Sequence, residues 1–503
     1  MILSVQHPQL YEINTRVWLN SLSQRHGKRL TLGQVDQGIW ERLRDLGMDL
    51  VWLMGVWLPS REGIRIARNH PGLQQAYRDV LPDLVPEDVI GSPYAVAGYR
   101  LNPALGNEQD LIRLRECLHR AGLGLILDFV PNHTARDHPW VCAHYQRYVY
   151  GVSSSVIGPE GTFGVHCADG ETRWIAHGRD PYFPPWTDTA QLCSLSPETR
   201  HALSDELLRI AQFCDGLRCD MAMLAMNRIF KQTWGGWMEA TGQIMPETEY
   251  WPDILGPLRA RHPHFILIAE AYWGLERELL DQGFDFAYDK QGYDRLRSLD
   301  MISFKNGLMK EGSQGLRMVR FLENHDEERL AAVFPGLALR SAAVIHATMP
   351  GLRLFHHGQL EGRRIRLPVQ LGREPVESVD PDLAAFYRKL LSLTREPLFK
   401  GGVGYVLSVR PAWEGDEGHR PLVGFAYSHG QQTGVVVVNH SDHEASGFLQ
   451  FPEGFWKGWE QVHFQDRLSE REEIYERERG QLEHQGLYVR LGPHAYHFLT
   501  ASL

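Results

Sequence analysis

Short apolar runs alternate with helical periodicities along the first 400 residues or so of the chain. Runs such as residues 50–54 (LVWLM) and 123–130 (LGLILDFV) are typical of strands buried on both faces. Between them, residues 32–46 and 110–122 place apolar side chains at helical spacing. This alternation predicts parallel strands covered by helices. The predicted strands are residues 10–19, 50–54, 123–130, 215–220, 265–269, 284–287, 318–322 and 352–355.

Two stretches break this alternation. Residues 132–197 are rich in Gly, Pro, His and Asp without periodicity, which predicts an inserted subdomain of irregular and β structure. From about residue 401 the pattern becomes strand after strand. We therefore expect an α/β fold, namely a (β/α)8 TIM barrel with a subdomain inserted after strand three and a C-terminal all-β sandwich domain. The expected bounds are 1–132 and 197–396 for the barrel, 133–196 for the inserted B-type subdomain and 397–503 for the sandwich.

Composition narrows the functional classes. The 503 residues carry a formal net charge of -10 and no basic block, so nucleic acid is not an expected partner. None of the six cysteines forms a C-x-x-C pair, which favours reduced thiols over a disulfide frame or a zinc site. No apolar run is long enough to span a membrane, and residues 1–9 lack the pattern of a secretory signal. We expect a cytoplasmic protein, and the pattern leaves its oligomeric state open.

Polar residues follow four of the predicted strands. They lie in residues 128–133 (DFVPNH) and 218–220 (RCD), at Glu270, and in residues 324–326 (NHD). A charge directly after a buried run is costly unless it is paired or used. Because the carboxyl ends of barrel strands meet at one face, these residues predict a single shared polar site.

The residues at 218, 220 and 270 suit a particular chemistry. Arg218 and Asp220 face the same side of a strand, and a nearby cation favours the ionised acid, as a nucleophile on a sugar carbon requires. Glu270 follows an apolar run, and burial raises the pKa of a carboxyl toward that of a general acid. A buried ion pair that only holds the barrel together is an equal alternative for Arg218 and Asp220. A metal site is a rival use of the acids, but paired histidines at helical spacing are missing.

The four segments together carry a resemblance to a known family. DFVPNH, GLRCDMA, the strand that ends in Glu270 and FLENHD resemble, in order and in strand position, the four signature regions of the α-amylase family of glycoside hydrolases. The resemblance extends over nearly the whole chain. It implies that Asp220 is the nucleophile, that Glu270 is the general acid and base, and that Asp326 binds ring hydroxyls and stabilises the transition state. It also implies that Arg218 keeps Asp220 ionised.

The resemblance implies supporting roles for further residues. Tyr94 would stack under the sugar, and His133 and His325 would hydrogen-bond it; a core tyrosine and structural histidines are the alternatives. Asp128 would be a structural partner of the network. No cofactor is implied as a requirement, although Asn132 matches an asparagine that binds calcium in many members, so calcium is a possible ligand.

The sequence also departs from the family pattern. Met223 and Leu224 occupy positions where many starch-degrading members carry a lysine and a histidine, which argues against cleavage inside long polymers. We therefore expect a retaining α-glycosidase that hydrolyses α-glucosidic bonds in short oligosaccharides or small α-glucosides. One alternative is a transglycosylase, glucosyl- or maltosyl-transferring, with the same covalent intermediate. Another is a non-catalytic carbohydrate-binding protein on the same fold.

Overall fold

Eight parallel strands close into a barrel within residues 5–167, 169–469 and 474–502, which the computed structural model describes. Each strand is hydrogen-bonded to the strands before and after it in the chain, and the first strand closes the barrel against the eighth. In chain order, the barrel strands are Gln9–Asn14, Leu50–Met54, Gly124–Phe129, Gly216–Cys219, Ile266–Ala269, Phe286–Tyr288, Met318–Arg320 and Leu352–His356.

The continuous apolar runs of these strands are explained by burial on both faces. In the second strand, Leu50, Trp52 and Met54 belong to the core inside the barrel. The intervening Val51 and Leu53 pack in the layer between the barrel and its helices. Alternate side chains of a strand point to opposite faces, so an apolar residue is required at every position.

Helices cover the outside of the barrel and connect its strands. The α-helices are Thr15–Arg25, Gln37–Asp45, Arg61–Asn69, Pro71–Val80, Glu108–Arg120, Pro139–Ala143, Pro197–Ile210, Asn227–Thr241, Tyr250–Arg261, Glu276–Asp281, Lys290–Arg297, Met301–Glu311, Leu330–Val333, Gly336–Thr348, Pro381–Thr394, Pro397–Gly401 and Arg479–His484. Short 3-10 turns occur at Leu32–Gln34, Pro86–Asp88, Tyr145–Arg147, Ser154–Val156, Pro159–Gly161, Ala222–Ala225 and Gly312–Arg317.

Smaller sheets extend from the carboxyl ends of the second and third barrel strands. A hairpin joins Trp57–Pro59 to Val96–Leu101. After the third strand, two further small sheets fill the segment that was predicted to be irregular and β. One pairs His133–Ala135 with Thr189–Gln191, and the other contains Tyr150–Gly151, Thr172–Ala176 and Thr162–His166.

The C-terminal part of the chain forms one antiparallel sheet with its own core. Trp456, Trp459 and Phe464 are among the side chains of this core, which is separate from that of the barrel. In spatial order the eight strands found in the described residues are Ile474–Glu478, Gln461–Asp466, Tyr496–Ser502, Gln432–Asn439, Leu422–His429, Val403–Arg410, Ala445–Gln450 and Leu487–Leu491.

The predicted fold class is confirmed by the closed barrel and the C-terminal β domain. The predicted first strand was wrong beyond Asn14, because the helix Thr15–Arg25 begins there. This helix buries Trp18, Leu19 and Leu22 at helical spacing, so the apolar pattern there had period 3.6 rather than period 2. The domain bounds given above stay a prediction.

Two observations concern the membrane and the chain start. In the described part of the chain, no helix combines the length and the apolar character needed to cross a bilayer. The prediction that residues 1–9 hold no export signal falls partly on residues 1–4, which lie outside the described residues.

Candidate active site

One arginine joins two carboxylates at the carboxyl ends of neighbouring strands. Nη1 of Arg218 lies 2.8 Å from Oδ1 of Asp220, and its Nη2 lies 2.6 Å from Oε1 of Glu270. All three side chains are at least nine-tenths buried. Since one guanidinium contacts both acids, the two carboxylates lie close together.

The register of the barrel places the two acids side by side. The backbone N–H of Asp220 donates to the carbonyl oxygen of Phe129 at 2.8 Å, and that of Glu270 donates to Cys219 at 3.0 Å. Each acid is thus the first residue beyond its strand, and parallel neighbours in register bring these residues to the same level. The strand-end prediction for both acids agrees with this placement.

Aromatic faces surround the bridging cation. The guanidinium carbon of Arg218 lies 5.1 Å from the ring centre of Trp52, 5.3 Å from that of Tyr94 and 5.6 Å from that of Tyr288. These contacts stabilise a cation and exclude water from it. Burial disfavours the charged guanidinium, but Glu270, the nearby tyrosines and Asp220 together hold the pKa of Arg218 well above its usual value.

Burial raises the pKa values of both Asp220 and Glu270. Burial, reinforced by the charges of Asp220 and Asp326, raises the pKa of Glu270 to about 7. Burial also raises the pKa of Asp220 to about 6, although Arg218 acts in the opposite direction. As expected, Arg218 lowers the pKa of Asp220, but desolvation outweighs the single cation, so the net shift is upward. The pKa of Glu270 is still no lower than that of Asp220, as the roles of general acid and ionised nucleophile require.

A third acid faces the opening of the pocket. The side chain of Asp326 is 47% exposed, and its Oδ2 lies 3.0 Å from Nε2 of His325. Nδ1 of the same histidine lies 2.5 Å from Oε1 of Glu12, which is fully buried. Although burial opposes the shift of His325, the two acids raise its pKa well above its usual value, and the histidine in turn lowers the pKa of Asp326 to about 2. Asp326 is therefore a fixed anion at the pocket mouth.

Tyr94 is part of the same network rather than an isolated core side chain. Its hydroxyl oxygen lies 2.8 Å from Nε2 of His325, and the two rings are 5.4 Å apart at an interplanar angle of 30°. The structure thus brings together residues from four segments: Tyr94, Arg218 with Asp220, Glu270, and His325 with Asp326.

Asp128 and His133 lie beside this group as supports. The Asp128 carboxylate accepts hydrogen bonds from Trp52 Nε1 at 3.1 Å and from the N–H of Gly55 at 2.9 Å. The His133 side chain bonds to the backbone of Tyr94, and burial lowers its pKa to about 4. His133 therefore holds Tyr94 in place as a neutral imidazole.

The surroundings of Asn132 do not fit a calcium ion. Its side-chain oxygen and its carbonyl oxygen each accept a hydrogen bond from Nε2 of Gln191 at 2.9 Å. Calcium requires several free oxygen ligands. In addition, no group of three or more His, Cys, Asp or Glu side chains in the described ranges is placed to hold a metal ion.

Three residues of the site were not predicted. Glu12 is a charged residue inside an apolar strand, and the cost of burying it was the available signal. Tyr272 donates its O–H to Oε1 of Glu270 at 3.0 Å, and Tyr288 faces Arg218. Only their closeness to strand ends marked the two tyrosines in the sequence.

Comparison with known proteins gives a consistent picture. The family model described as "Alpha amylase, catalytic domain" matches residues 24–154. "Alpha-amylase 3" of Dictyoglomus thermophilum is 22% identical over 329 residues, which are 61% of this chain and 60% of that protein. "Probable oligo-1,6-glucosidase 2" of Bacillus subtilis is 23% identical over 338 residues, which are 59% of this chain and 55% of that protein. The matches thus span less than two thirds of either relative.

Solved structures share the architecture along the whole chain. A maltogenic α-amylase, AmyB from Thermotoga neapolitana, superimposes with a TM-score of 0.67 at 18% identity and covers 99% of both chains. An α-amylase from Lactobacillus plantarum gives a TM-score of 0.66 at 19% identity, covering 98% of this chain and 99% of that one. At these identities the likeness concerns the fold.

Proposed function

We propose that the chain is a member of the α-amylase family of glycoside hydrolases and that it cleaves α-glucosidic bonds in short oligosaccharides or small α-glucosides with retention of configuration. Its own residues supply each chemical role. The proposal rests on one observation above all: a single buried guanidinium bridges the carboxylates of Asp220 and Glu270.

The first half of the reaction forms a bond to Asp220. Its carboxylate attacks the anomeric carbon while the bond from that carbon to the leaving oxygen breaks, and Glu270 gives its proton to that oxygen. Between about pH 6 and pH 7, Asp220 is mainly ionised and Glu270 mainly protonated, as this step requires. The product is a glycosyl ester on Asp220, and the departed group is a free hydroxyl.

The second half reverses these roles. The Glu270 carboxylate, now ionised, takes a proton from a water molecule that attacks the same carbon from the other face. The ester bond breaks, and Asp220 leaves as a carboxylate. Two inversions give net retention. Arg218 contacts both acids, so it stabilises whichever is ionised at each stage.

Asp326, His325 and Tyr94 are proposed to hold the sugar that is cleaved. Asp326 is the exposed anion at the mouth and is suited to accept hydrogen bonds from ring hydroxyls, which strengthen as positive charge develops on the ring. The Tyr94 ring, fixed by His325 and by His133, offers an apolar face for stacking. Asp128 supports the strand end.

A short substrate is supported by the side chains that follow the nucleophile. Met223 is fully buried and Leu224 is 3% exposed, so neither contacts a sugar beyond the leaving group. The name of the Bacillus subtilis relative, an oligo-1,6-glucosidase, also points to short substrates. We leave the linkage to experiment.

Product analysis by NMR tests this proposal. The enzyme is incubated with a panel of α-linked di- and oligosaccharides, and the anomeric protons of fresh product are followed before mutarotation. We expect α-anomers to appear first, from short substrates in preference to soluble starch. First appearance of β-anomers would overturn the retaining mechanism, and cleavage confined to long polymers would overturn the substrate class.

One observation favours transglycosylation as a second candidate. The exposed rings of Tyr182 and Trp273 are 5.0 Å apart, and Trp273 lies three residues after Glu270 in the chain. Such a surface suits an acceptor sugar that replaces water. Adding maltose or glucose to the NMR reaction separates the two activities. Transfer products that exceed hydrolysis products at moderate acceptor concentration indicate a transferase.

We also propose a reducing compartment such as the cytoplasm. All six cysteines are free thiols, and four of them are buried: Cys167, Cys193, Cys214 and Cys219. Free buried thiols persist where glutathione and thioredoxin keep them reduced. Cell fractionation with an antibody to the chain tests the location.

A further inference from the structure

The first turn of the helix Thr15–Arg25 buries a cation without an acidic partner. Arg16 is 6% exposed. Its Nη1 donates to the carbonyl oxygens of Gly91 at 2.9 Å and Ile90 at 3.4 Å, and its Nη2 donates to that of Val369 at 2.6 Å. Its Nε forms no hydrogen bond with any described residue. No carboxylate in the described segments forms an ion pair with it. Carbonyl dipoles offset only part of the cost of burying a full charge.

This arginine lines a cavity of about 690 Å3 that is separate from the proposed catalytic pocket. Most of the wall is apolar. None of Asp220, Glu270 and Asp326 lines the cavity. The apolar wall is formed mainly by Leu19, Leu30, Ile64, Ile90 and Leu105.

The charges around the cavity are predominantly positive. Lys28 and Arg29 are exposed on its rim and form no ion pair with a described acid. On the opposite side Asp88 is neutralised by Arg373, whose Nη2 lies 2.8 Å from its Oδ2. Glu87 is an exposed rim acid without an ion-pair partner in the described segments. The Arg29 guanidinium also donates to the carbonyl oxygen of Pro103 at 2.7 Å. The cavity thus combines an apolar wall, a buried guanidinium and two rim cations that form no ion pair with a described acid.

We propose that this cavity binds a small amphipathic organic anion. Its acidic head, a carboxylate, sulfonate or phosphate, lies toward Arg16, Lys28 and Arg29, and its apolar body lies against the leucines and isoleucines. Such a ligand supplies the counter-charge that Arg16 lacks and covers apolar surface at the same time.

The location connects the cavity to the catalytic face. The carbonyl of Gly91, which Arg16 holds, lies three residues before Tyr94, and Tyr94 contributes to the electrostatic surroundings of Arg16. Ile90, which lines the cavity, directly precedes Gly91, so a ligand in the cavity lies against the start of the segment that carries the stacking tyrosine. Binding itself does not depend on the hydrolytic activity, so its failure leaves the proposed function untouched.

A charged fluorescent probe tests the proposal on the full chain. The anionic dye 8-anilinonaphthalene-1-sulfonate is titrated against the protein and compared with the neutral dye N-phenyl-1-naphthylamine. We expect one bound anionic dye per chain and markedly weaker binding of the neutral dye, because the two dyes differ chiefly in the charged group.

Two rim variants locate the bound dye. Ala104→Trp places a large ring at the exposed edge of the cavity, and the double variant Lys28→Gln with Arg29→Gln removes its rim cations. Each is expected to weaken binding of the anionic dye about tenfold or more, equivalent to at least about 1.4 kcal/mol. Arg25→Gln, an exposed cation on the same helix but outside the cavity, is the matched control and is expected to change nothing.

Two results would overturn the proposal. One is equal affinity for the anionic and the neutral dye, which would leave the buried charge without a role in binding. The other is unchanged affinity in Ala104→Trp, which would place the dye elsewhere. All of these substitutions are at exposed positions, so folding is retained and the readout stays interpretable.

Discussion

Two buried aspartates at the opposite ends of one barrel strand show how a structural carboxylate differs from one that is available for reaction. Asp215 precedes the strand Gly216–Cys219 and Asp220 follows it, and both lie beside an arginine. The Asp215 carboxylate accepts four hydrogen bonds: two from Arg115 at 3.0 and 2.6 Å, one from His119 at 2.9 Å and one from the N–H of Leu125 at 2.8 Å. Asp220 accepts one from a side chain, Arg218 Nη1 at 2.8 Å.

The number of donors, rather than burial or charge, distinguishes the two. Asp215 has its oxygens saturated and is held as a structural anion. Asp220 keeps unused acceptor capacity, and burial raises its pKa to about 6. A carboxylate that accepts few hydrogen bonds from the protein can interact with another partner, here a sugar carbon.

The largest expected effect is the contrast between Asp220→Asn and Asp215→Asn. Asp220→Asn should lower kcat by about a thousandfold or more, because the nucleophile is lost. Asp215→Asn should leave kcat per folded molecule within about threefold but cost about 2–4 kcal/mol of stability, because a saturated anion loses its charge-assisted bonds. Kinetics and thermal unfolding of both variants measure this.

The unfolding temperature of Asp220→Asn provides the matching control. The folded pKa of Asp220 is raised above its unfolded value, so wild type loses stability as pH rises from about 4 through about 6. Asparagine does not share this loss, and at pH 8 the variant should unfold at or above the wild-type temperature. A large drop at pH 8 would instead make Asp220 structural, like Asp215.

The effect of Glu270→Gln on kcat/KM should depend on the leaving group of the substrate. Without a general acid, substrates with poor leaving groups, such as maltose or 4-methoxyphenyl α-glucoside, should lose about 10²–10⁴ in kcat/KM. The activated 2,4-dinitrophenyl α-glucoside needs no proton and should lose less than about tenfold. Equal losses on both substrates would remove Glu270 from the acid role.

The pH profile tests the order of the two pKa values. The working form has Asp220 ionised and Glu270 protonated, so kcat/KM should rise through about pH 6 and fall through about pH 7. The two groups interact, so the limbs report the pair. A rate that continues to climb above pH 8 contradicts this assignment.

The smallest expected effect is that of Tyr272→Phe. The tyrosine O–H bond to Oε1 of Glu270 favours the ionised carboxylate, so its loss should raise the Glu270 pKa. The alkaline limb should move upward by roughly half a pH unit, equivalent to about 0.7 kcal/mol. Tyr77→Phe is the control, because no described residue hydrogen-bonds the buried Tyr77 hydroxyl and this side chain belongs to a separate apolar cluster with Leu81 and Leu371. A downward shift in Tyr272→Phe would contradict the assigned hydrogen bond.

The elements with strong local signals could be predicted from the sequence. Apolar runs followed by acids marked Asp220 and Glu270 at strand ends, and both lie there. The helix at Thr15 was missed because its apolar residues also suit a strand, and the choice depends on packing against distant segments. The contact between Glu12 and His325 joins residues 313 positions apart, and no local pattern encodes it.

The direction of the Asp220 pKa shift also could not be predicted from the neighbouring residues in the sequence. The sequence places a cation two residues away but does not give the depth of burial, and here desolvation is the larger effect. Asp215, like Asp220, forms an ion pair with an arginine. The four hydrogen bonds that Asp215 accepts come from Arg115, His119 and Leu125, about 90 to 100 positions away in the chain, so no local pattern shows them.

Trapping of the covalent intermediate tests the central claim most directly. The protein is incubated with a 5-fluoro-α-glucosyl fluoride, digested, and mapped by mass spectrometry. The account predicts one added fluoroglucosyl group per chain, carried on the Asp220 side chain and absent after Asp220→Asn. A label on any other carboxylate, or full turnover of the reagent by Asp220→Asn, would contradict it.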